Sequence, residues 1–516
     1  MTLSKRDAEA LHGSVLYRIW MGLCAVYGGS FLHRALAVSG DWCSRQIENS
    51  AVLGVLCREG ALARAWGGSL TCRALTALAN LPGWLLHKLY QAFQPAFNGS
   101  FFARLAFRLG DETAVAESWL VMLLWVIPFE RWNNAYSMLA FALLLAMFYI
   151  RSMYRRKARL DVAAVGPYTA AMFAAAALGV VFSMYPGLST RFLMYHAVCL
   201  LCVLVTASAV RDTVDLKRLA AAGGFVVLVS SLYAVYQRIQ GVEVKASYVD
   251  LTLNEGMPGR VDSFFDNPNT FAQVLILLLP LVLALALCSR RLWLRGAALG
   301  VFAVGSAALG MTYSRASWIG FACSLAVLVF LWRPSLIPAF ALACVLAIPF
   351  LPETIFNRIL TITNTSDSST ASRVPLYRAT LELIRSSPIT GAGLGTAAVQ
   401  KYINVQNLYH ARAPYVHAHN IYLQVWAEAG LLGVVSFVGC MLLNIKNAAR
   451  TVRHCSDSAA RTITCAGASA LCGAMVCGLA DYLWNYPRVM SIFWFVFALT
   501  IAGTKLCRRP SGSWQA

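Results

Sequence analysis

The chain alternates long apolar runs with short polar connections along most of its length. A run of about 17–25 mainly apolar residues can cross a bilayer as an α-helix, and lipid admits only helices or closed barrels. The candidate runs are 114–128, 133–150, 162–184, 192–210, 217–239, 268–288, 293–312, 316–332, 335–351, 417–443, 462–483 and 489–506. The pattern predicts an all-α polytopic membrane protein with about twelve transmembrane helices. Pro128 and the polar stretch ERWNN make the first two runs the least regular.

Composition agrees with this class. Of the 516 residues, 59% are apolar and only 13% are charged, and the mean hydropathy is +0.61. Soluble domains carry about 25% charged residues, so a soluble fold is excluded. The charged start MTLSKRDAEALHG lacks the apolar run that follows in cleavable signal peptides, so we expect none.

The formal charge of +20 has a distribution that favours a membrane over nucleic acid as the partner. Basic residues cluster at 151–159, 211–218, 289–295 and 446–461, and in the final stretch KLCRR. All five clusters fall on one side when the runs are threaded alternately. By the positive-inside rule this side is cytoplasmic, as are both termini, in a multi-pass protein of the cytoplasmic membrane.

The runs and charges divide the chain into five parts. Residues 1–112 form a basic amphipathic extension, 113–351 hold helices one to nine, and 352–416 form a long, partly helical extracytoplasmic loop. Residues 417–507 hold helices ten to twelve, and 508–516 form a cytoplasmic tail. Basic amphipathic helices lie in the membrane interface, so the extension is expected to anchor the protein; a docking platform for a partner is the alternative.

The unusual polar residues fall on the outer face in this threading. Arg260, Arg315 and Arg373 lie in outer loops, where the positive-inside rule disfavours them, and His417 and His419 end the long loop. Ionisable residues at such positions are functional candidates. Each arginine taken singly is also compatible with simple anchoring to lipid headgroups.

Three helices that enter from the outer face begin at capping residues. Asn267 precedes Pro268, Ser314 precedes the run at 316–332, and Asn420 precedes the body of the run at 417–443. Helix N-termini carry free N–H groups and partial positive charge, and they bind phosphate. If the three helices are neighbours, Arg260 and Arg315 would complete an anion site.

The long outer loop contains two recognisable segments. The stretch STASRVPLYRATLELIRSSP predicts an amphipathic helix that ends before Ser387 and Pro388. ITGAGLGT supplies glycines for turns that allow close backbone approach, and it lacks the context of a dinucleotide fingerprint. No D-x-D motif is present, so no metal and no cofactor are expected.

Four motifs in order resemble the O-antigen ligase and polymerase superfamily, which includes lipopolysaccharide O-antigen ligases, O-antigen polymerases and teichuronic acid related membrane proteins. They are GRVDSFFDNPNTFA, TYSRASWIGF, SRVPLYRATLELIRSSPITGAGLGT and HAHNIYLQVWAEAGLLG. The resemblance covers about 258–435 and extends less clearly over 118–500. Tyr377 stands where the superfamily often has tryptophan, and residues 1–112 lie outside the resemblance.

The resemblance implies inverting, metal-independent glycosyl transfer on the outer face of the cytoplasmic membrane. The donor would be a glycan on undecaprenyl pyrophosphate, and the acceptor a hydroxyl of a glycan or glycolipid. Arg260 and Arg315 would hold the pyrophosphate with help from Arg373, and His419 would be the general base. His419 adjoins a helix start and is better anchored than His417, which would contribute to binding.

Glu428 is the remaining polar residue in this region. It shares one helical face with Asn420 and Gln424, about 12 Å along the helix from Asn420. A buried carboxylate needs a partner. We expect a structural pairing with an arginine or a helix end, and a direct catalytic role is the alternative.

Two other functions fit the outer arginines. One is a secondary transporter of a small anion such as bicarbonate, which would place polar residues and broken helices near the bilayer midplane. The other is a flippase or a non-catalytic partner of lipid-linked glycans. The sequence does not separate ligase from polymerase, since both use the same donor chemistry.

Overall fold

The computed structural model describes residues 14–58, 60–244, 258–360, 371–411 and 414–509. Within these ranges the chain folds into α-helices joined by turns and contains no strands, as the apolar pattern predicts. Most of the predicted tail at 508–516 lies outside the described residues.

Seven helices form the N-terminal extension. They are α1 (Val15–Gly29), α2 (Phe31–Glu48), α3 (Ala51–Cys57), α4 (Ala61–Trp66), α5 (Leu70–Ala92), α6 (Gln94–Gly99) and α7 (Phe101–Asp111). Ser30, Ser69 and Ser100 cap α2, α5 and α7 through their side chains, which explains why these helices begin where they do.

Sixteen further helices follow in the described chain. They are α8 (Thr113–Leu124), α9 (Ala135–Tyr154), α10 (Val162–Val165), α11 (Pro167–Val181), α12 (Pro186–Ala209), α13 (Thr213–Gln240), α14 (Pro268–Cys288), α15 (Leu292–Met311), α16 (Arg315–Trp332), α17 (Ile337–Ala347), α18 (Glu353–Leu360), α19 (Arg373–Ser386), α20 (Thr396–Val405), α21 (Ile421–Val452), α22 (Ser458–Cys477) and α23 (Pro487–Cys507).

All twelve predicted runs are helical, and nine helices in the described chain are long and apolar enough to cross a membrane. Helices α8 and α11 are apolar but short. Segment Pro334–Phe350, which contains α17, meets α18 at a bend of 115°, and counting this pair as one span raises the number to ten. The prediction of twelve spans therefore remains a prediction.

The centre of the bundle consists of α14, α22 and α23, whose most apolar windows are 78%, 78% and 94% buried. Small residues let the helices approach closely. A Cβ on Gly320 of α16 would lie 2.6 Å from the carbonyl oxygen of Gly473 in α22, and the reciprocal distance is 2.5 Å. Glycine is therefore required at both positions of this contact.

The connections gather at two opposite ends of the bundle. At one end Lys505 Nζ lies 2.7 Å from Asp161, and the hydroxyl of Thr213 donates to Asp457 at 2.7 Å. The second contact joins the basic clusters at 211–218 and 446–461, and Arg509 of the last cluster donates to the carbonyl of Arg211 at 2.7 Å, so three of the basic clusters lie together. At the other end Arg260 contacts the 312–315 turn, and the N–H of Ile421 donates to the carbonyl of Gly478 at 2.8 Å. The unusual polar residues lie at this second end.

We expect the end that carries Arg260 to face outward, because the basic clusters lie at the opposite end. A cysteine placed at the exposed Gln406 should therefore react with a membrane-impermeant maleimide in intact cells. A cysteine at the exposed Ser456 should react only after permeabilisation. The unmodified chain, which contains native cysteines, supplies the background for both measurements. The reverse labelling order would overturn the orientation.

The outer-loop helix predicted from STASRVPLYRATLELIRSSP is confirmed as α19, Arg373–Ser386. Ser387 ends it, since Pro388 follows. Leu376 and Leu383 are buried on one face, in a small core with Tyr402 and Tyr415. The segment at 371–411 therefore forms a packed layer over the end of the bundle that carries Arg260, and it is called the outer layer below.

Candidate functional site

Three helix N-termini meet at the end of the bundle opposite the basic clusters. Helix α14 contacts α16, and α16 contacts α21. Asn267 caps α14 by accepting from the N–H of Asn269 at 2.8 Å, and Asn420 caps α21 by accepting from Tyr422 and Leu423 at 3.0 Å. The predicted neighbourhood of the three helices is therefore observed.

Ser314 differs from its predicted capping role. It occupies the N-cap position of α16, yet its side chain makes no capping hydrogen bond. Its hydroxyl donates instead to the hydroxyl of Ser317 at 3.1 Å. Both residues are buried, and the hydroxyl pairing satisfies them away from water.

A cavity of about 190 Å³ lies between these helix starts and the outer layer. Four arginines and one carboxylate contribute to its wall, together with Asn269 and the 313–316 turn: Arg260, Arg315, Arg358, Arg373 and Asp481. Three of these arginines were expected from the sequence. Arg358 and Asp481 were not. The excess of cationic groups makes the cavity suited to an anion with several oxygens.

Arg260 is firmly held in the wall of the cavity. It is 9% exposed, its Nε donates to the carbonyl of Thr312 at 2.6 Å, and one terminal nitrogen donates to Oδ1 of Asn269 at 2.5 Å. These bonds fix the plane of the guanidinium before any ligand arrives. Asn269, rather than the predicted Asn267, is the asparagine that lines the cavity.

His419 pairs with Asp481, which lines the same cavity. Nδ1 of His419 lies 3.2 Å from Oδ1 of Asp481, and the imidazole is 31% exposed. With Nδ1–H donating to the carboxylate, the lone pair of neutral His419 is on Nε2. His419 is thus oriented to accept a proton at Nε2.

Asp481 is held as a carboxylate by several donors. Its Oδ2 accepts from Nε2 of Gln273 at 2.9 Å, and Oδ1 accepts from the N–H of Tyr482 at 2.9 Å. Burial raises its pKa, but the hydrogen bond from His419 and the nearby cationic groups outweigh this effect. The net pKa lies well below the usual range, so Asp481 is ionised at neutral pH.

His417 differs from His419 in its burial and in which ring nitrogen carries the proton. Its ring is buried and lies 4.1 Å, between centroids, from the ring of His419. Nδ1 of His417 accepts from the backbone N–H of His419 at 3.1 Å, so its own proton is on Nε2. Burial, with His419 and Arg373 nearby, lowers the pKa of His417 to about 3. His417 is therefore a neutral hydrogen-bond donor, not a cation.

The backbone around His419 is tightly constrained. His419 has φ of 46°, in the left-handed region that non-glycine residues seldom adopt. The N–H of Ala418 donates to Oε1 of Gln424 at 2.9 Å, and Asn420 donates to the carbonyl of Leu479 at 2.9 Å. Such strained backbone is characteristic of functional sites. The amide of Asn420 is occupied by these structural bonds.

Glu428 links the backbone beside His419 to the residue beside Asp481, through Gln424 and Tyr482. Its Oε1 accepts from Nε2 of Gln424 at 2.8 Å and from the hydroxyl of Tyr482 at 3.0 Å. Gln424 holds the backbone beside His419, and Tyr482 adjoins Asp481. These donors are neutral, and the backbone of Gly395, at the N-terminus of α20, also bonds the carboxylate. Of the two expected partners, the contacts of the described residues show the helix end and not an arginine. Glu428 is a positioning residue.

The glycine-rich segment of the outer layer forms hydrogen bonds with α21 at the point where this helix is broken. Gly430 has φ of 66° and ψ of −166°, which interrupts the helix. The N–H of Ala392 donates to the carbonyl of Ala427 at 2.8 Å, and the N–H of Leu431 donates to the carbonyl of Pro388 at 3.0 Å. These bonds replace the helical ones that the break removes. The close approach predicted for ITGAGLGT is confirmed, and its role is structural.

One group of side chains has spacing compatible with a metal ion. The ligand atoms of His417, His419 and Asp481 lie within 4.8 Å of one another. Both Nδ1 atoms are already in hydrogen bonds, and the arginines of the adjoining cavity oppose a further cation. The positions of these atoms are better explained by a His419–Asp481 pair that accepts a proton, with His417 as its neutral neighbour.

The fold and the site together define a polytopic α-helical membrane protein with an arginine-lined cavity beside a histidine–aspartate pair. Residues 300–438 match the family model described as O-antigen ligase, and this match supports the O-antigen ligase and polymerase superfamily for the chain. It also supports glycosyl transfer of that general type. No curated protein matches the chain.

Proposed function

We propose that the protein transfers a glycan from undecaprenyl pyrophosphate to an acceptor sugar hydroxyl on the outer face of the cytoplasmic membrane. One observation carries the proposal: His419 pairs with Asp481, and Asp481 lines a cavity whose wall also contains four arginines. A base beside a pyrophosphate site is what displacement of a lipid pyrophosphate requires.

The arginines act on the leaving group. As the bond from the anomeric carbon to the pyrophosphate oxygen breaks, its electron pair goes to the pyrophosphate and negative charge grows there. Arg260 is already fixed in position, so it stabilises this charge without reorganising. Arg315 lies at the first residue of α16, where the helix N-terminus adds its own partial positive charge.

His419 acts on the acceptor. Its Nε2 takes the proton of the acceptor hydroxyl while the oxygen forms the new bond to the anomeric carbon. Asp481 stabilises the imidazolium that results and keeps the ring in the required tautomer. Attack from the side opposite the leaving pyrophosphate inverts the anomeric configuration.

The size of the cavity indicates which part of the lipid-linked donor it can hold. Sites for drug-sized ligands measure about 300–1,000 Å³, and this cavity measures about 190 Å³. It accommodates a pyrophosphate but not an oligosaccharide, which must extend outward. Arg358 and Arg373 come from the 352–416 segment, so this segment both completes the cavity and borders the path of the glycan.

One observation favours the alternative of a small-anion transporter. Gly430 breaks α21 nine residues, or about 14 Å, from its start, and transporters use broken helices at this depth. The freed backbone groups at Ala427 and Leu431 are, however, bonded to the 388–392 segment. This pairing favours a structural break and glycosyl transfer as the function.

Metal independence is a direct consequence of the proposed chemistry. Four guanidinium groups supply the charge that a divalent ion provides in other transferases. We expect transfer by purified protein to be unchanged, within about twofold, after EDTA treatment. Loss of activity on chelation, with recovery on adding Mg²⁺ or Zn²⁺, would show that His417, His419 and Asp481 hold a metal instead.

Ligase and polymerase functions are distinguished by the glycans of a deletion strain. If single lipid-linked repeat units accumulate, the protein is a polymerase. If polymerised glycan accumulates without being attached to its final acceptor, the protein is a ligase. An unchanged profile of lipid-linked and surface glycans would contradict both.

A further inference from the structure

A cavity of about 850 Å³ lies at the opposite end of the bundle from His419. It is formed by α5, the end of α9 and the 156–163 connection. Asp161 in this connection pairs with Lys505, which fixes the cavity at the end that carries the basic clusters. The family match at 300–438 does not include any part of it.

The cavity is a built feature of the fold. Oδ1 of Asn80 accepts from the N–H of Leu160 at 2.7 Å, and its Nδ2 donates to the carbonyl of Leu160 at 3.0 Å. Nδ1 of His87 lies 2.7 Å from the carbonyl of Met153. Gly83 contacts Ser152 so closely that a Cβ would lie 3.0 Å from the serine Cβ. Helix α5 is therefore fixed against α9 and the connection that follows it.

The lining is cationic and contains no carboxylate among the described residues. Four basic side chains contribute to it: Arg73, Lys88, Arg156 and Arg159. All four are exposed, and none makes a side-chain hydrogen bond or ion pair with the described part of the chain. By contrast, Asp111 pairs with the neighbouring Arg155 at 2.7 Å. The four lining cations therefore have no partner within the described part of the chain and are available to an external ligand.

An apolar stripe runs along α5 beside the cationic lining. Leu78, Leu81 and Leu85 are 68%, 46% and 53% exposed, and Trp84 at the cavity wall is 53% exposed. The spacing of three, four and seven residues places them on one side of the helix. A helix with a basic face and an exposed leucine face lies at the membrane surface. The cavity thus joins a cationic wall to a surface suited to acyl chains.

We propose that this cavity binds the phosphate headgroup of an anionic phospholipid, with the acyl chains along the leucine stripe of α5. Basic pockets at the cytoplasmic surface of membrane proteins bind anionic headgroups in this way. A soluble phosphate would use the same four cations but would gain nothing from the leucine stripe. The extension at 1–112 would then anchor the bundle in a leaflet rich in anionic lipid. This site is separate from the proposed transfer reaction.

The test uses the purified full-length protein in detergent and native mass spectrometry. Equal amounts of phosphatidylglycerol and phosphatidylethanolamine are added to the wild type, to an Arg73→Gln/Arg159→Gln variant and to an Arg290→Gln/Arg291→Gln control. The control removes the same charge from exposed residues of another basic cluster. All four substituted side chains are exposed, so folding should be unaffected.

We expect the wild type and the control to retain phosphatidylglycerol preferentially, and the cavity variant to bind it about tenfold or more weakly. Glycerol phosphate at the same concentration should not displace the lipid. Equal binding by the cavity variant and the control would overturn the proposal, as would equal retention of phosphatidylethanolamine. Displacement by glycerol phosphate would assign the cavity to a soluble phosphate compound instead.

Discussion

Replacement of His419 by alanine is expected to reduce glycan transfer by roughly 100- to 10,000-fold, the usual contribution of a positioned base. The imidazole is 31% exposed, and its removal opens no large core cavity, so expression should be near normal. Binding of the lipid-linked donor should also persist, because the arginines that hold the pyrophosphate remain. The measurement is initial-rate transfer by purified protein at saturating donor.

Three comparison variants sharpen this result. His410→Ala alters an exposed histidine of the outer layer away from the cavity and should transfer at the wild-type rate. His417→Ala should cost less than His419→Ala, because His417 is a neutral donor whose Nδ1 supports the backbone of His419. His419→Gln keeps a side chain that can donate to Asp481 but has no basic nitrogen, and should be as inactive as alanine. Near-wild-type transfer by His419→Ala would remove the base from the mechanism.

Replacement of Arg315 by alanine is expected to lower transfer by about 100- to 1,000-fold, which corresponds to the ~3–4 kcal/mol that one charge-stabilising group contributes. Lysine should restore little of the rate, because it lacks the planar fork that bonds two oxygens at once. Arg260→Ala would also remove the hydrogen bond that its side chain donates to the carbonyl of Thr312, so its effect would include a loss of local structure.

Arg378→Ala is the matched control for Arg315→Ala. Arg378 is an exposed arginine of α19, one turn from Arg373, and does not line the cavity. Its loss changes the charge of the outer end equally but should leave the rate within about twofold. Equal losses in Arg315→Ala and Arg378→Ala would mean that overall charge, and not a pyrophosphate site, explains the effect.

The helical fold was predictable because lipid exposure demands long apolar runs, and these are legible without any tertiary information. The breaks within these helices could not be predicted from the sequence. The run at 162–184 is split at Gly166, which has φ of 86° and precedes a proline. The break at Gly430 depends on hydrogen bonds from residues about forty positions earlier, and a local pattern carries no sign of them.

The arginines of the site were predictable where they opposed the positive-inside rule. Arg260, Arg315 and Arg373 stood out for this reason, and the structure brings them to one cavity. Arg358 did not stand out, because the approach of α18 to the cavity depends on the bend after Phe350. That bend follows from tertiary packing and is not encoded in the local apolar pattern.

Asp481 was missed because the apolar run was extended to residue 483. Helix α22 ends at Cys477, so Asp481 lies in the following connection and not inside the span. A lone carboxylate in an apolar run was the available signal, since such groups are retained for function or pairing. Of the partners of Glu428, Gln424 lies on the predicted helical face, but Tyr482 could not be foreseen because it is distant in sequence.

The central claim is that this chain itself catalyses glycosyl transfer, and it is tested most directly with purified protein and a defined donor. The protein, freed of divalent metal, is given a glycan on undecaprenyl pyrophosphate and a glycan acceptor. We predict one undecaprenyl pyrophosphate released for each glycosidic bond formed, with inverted anomeric configuration, and neither product with His419→Ala. The account would be contradicted if folded wild-type protein formed no glycosidic bond. If the same protein also carried labelled bicarbonate into proteoliposomes, it would be identified as a transporter.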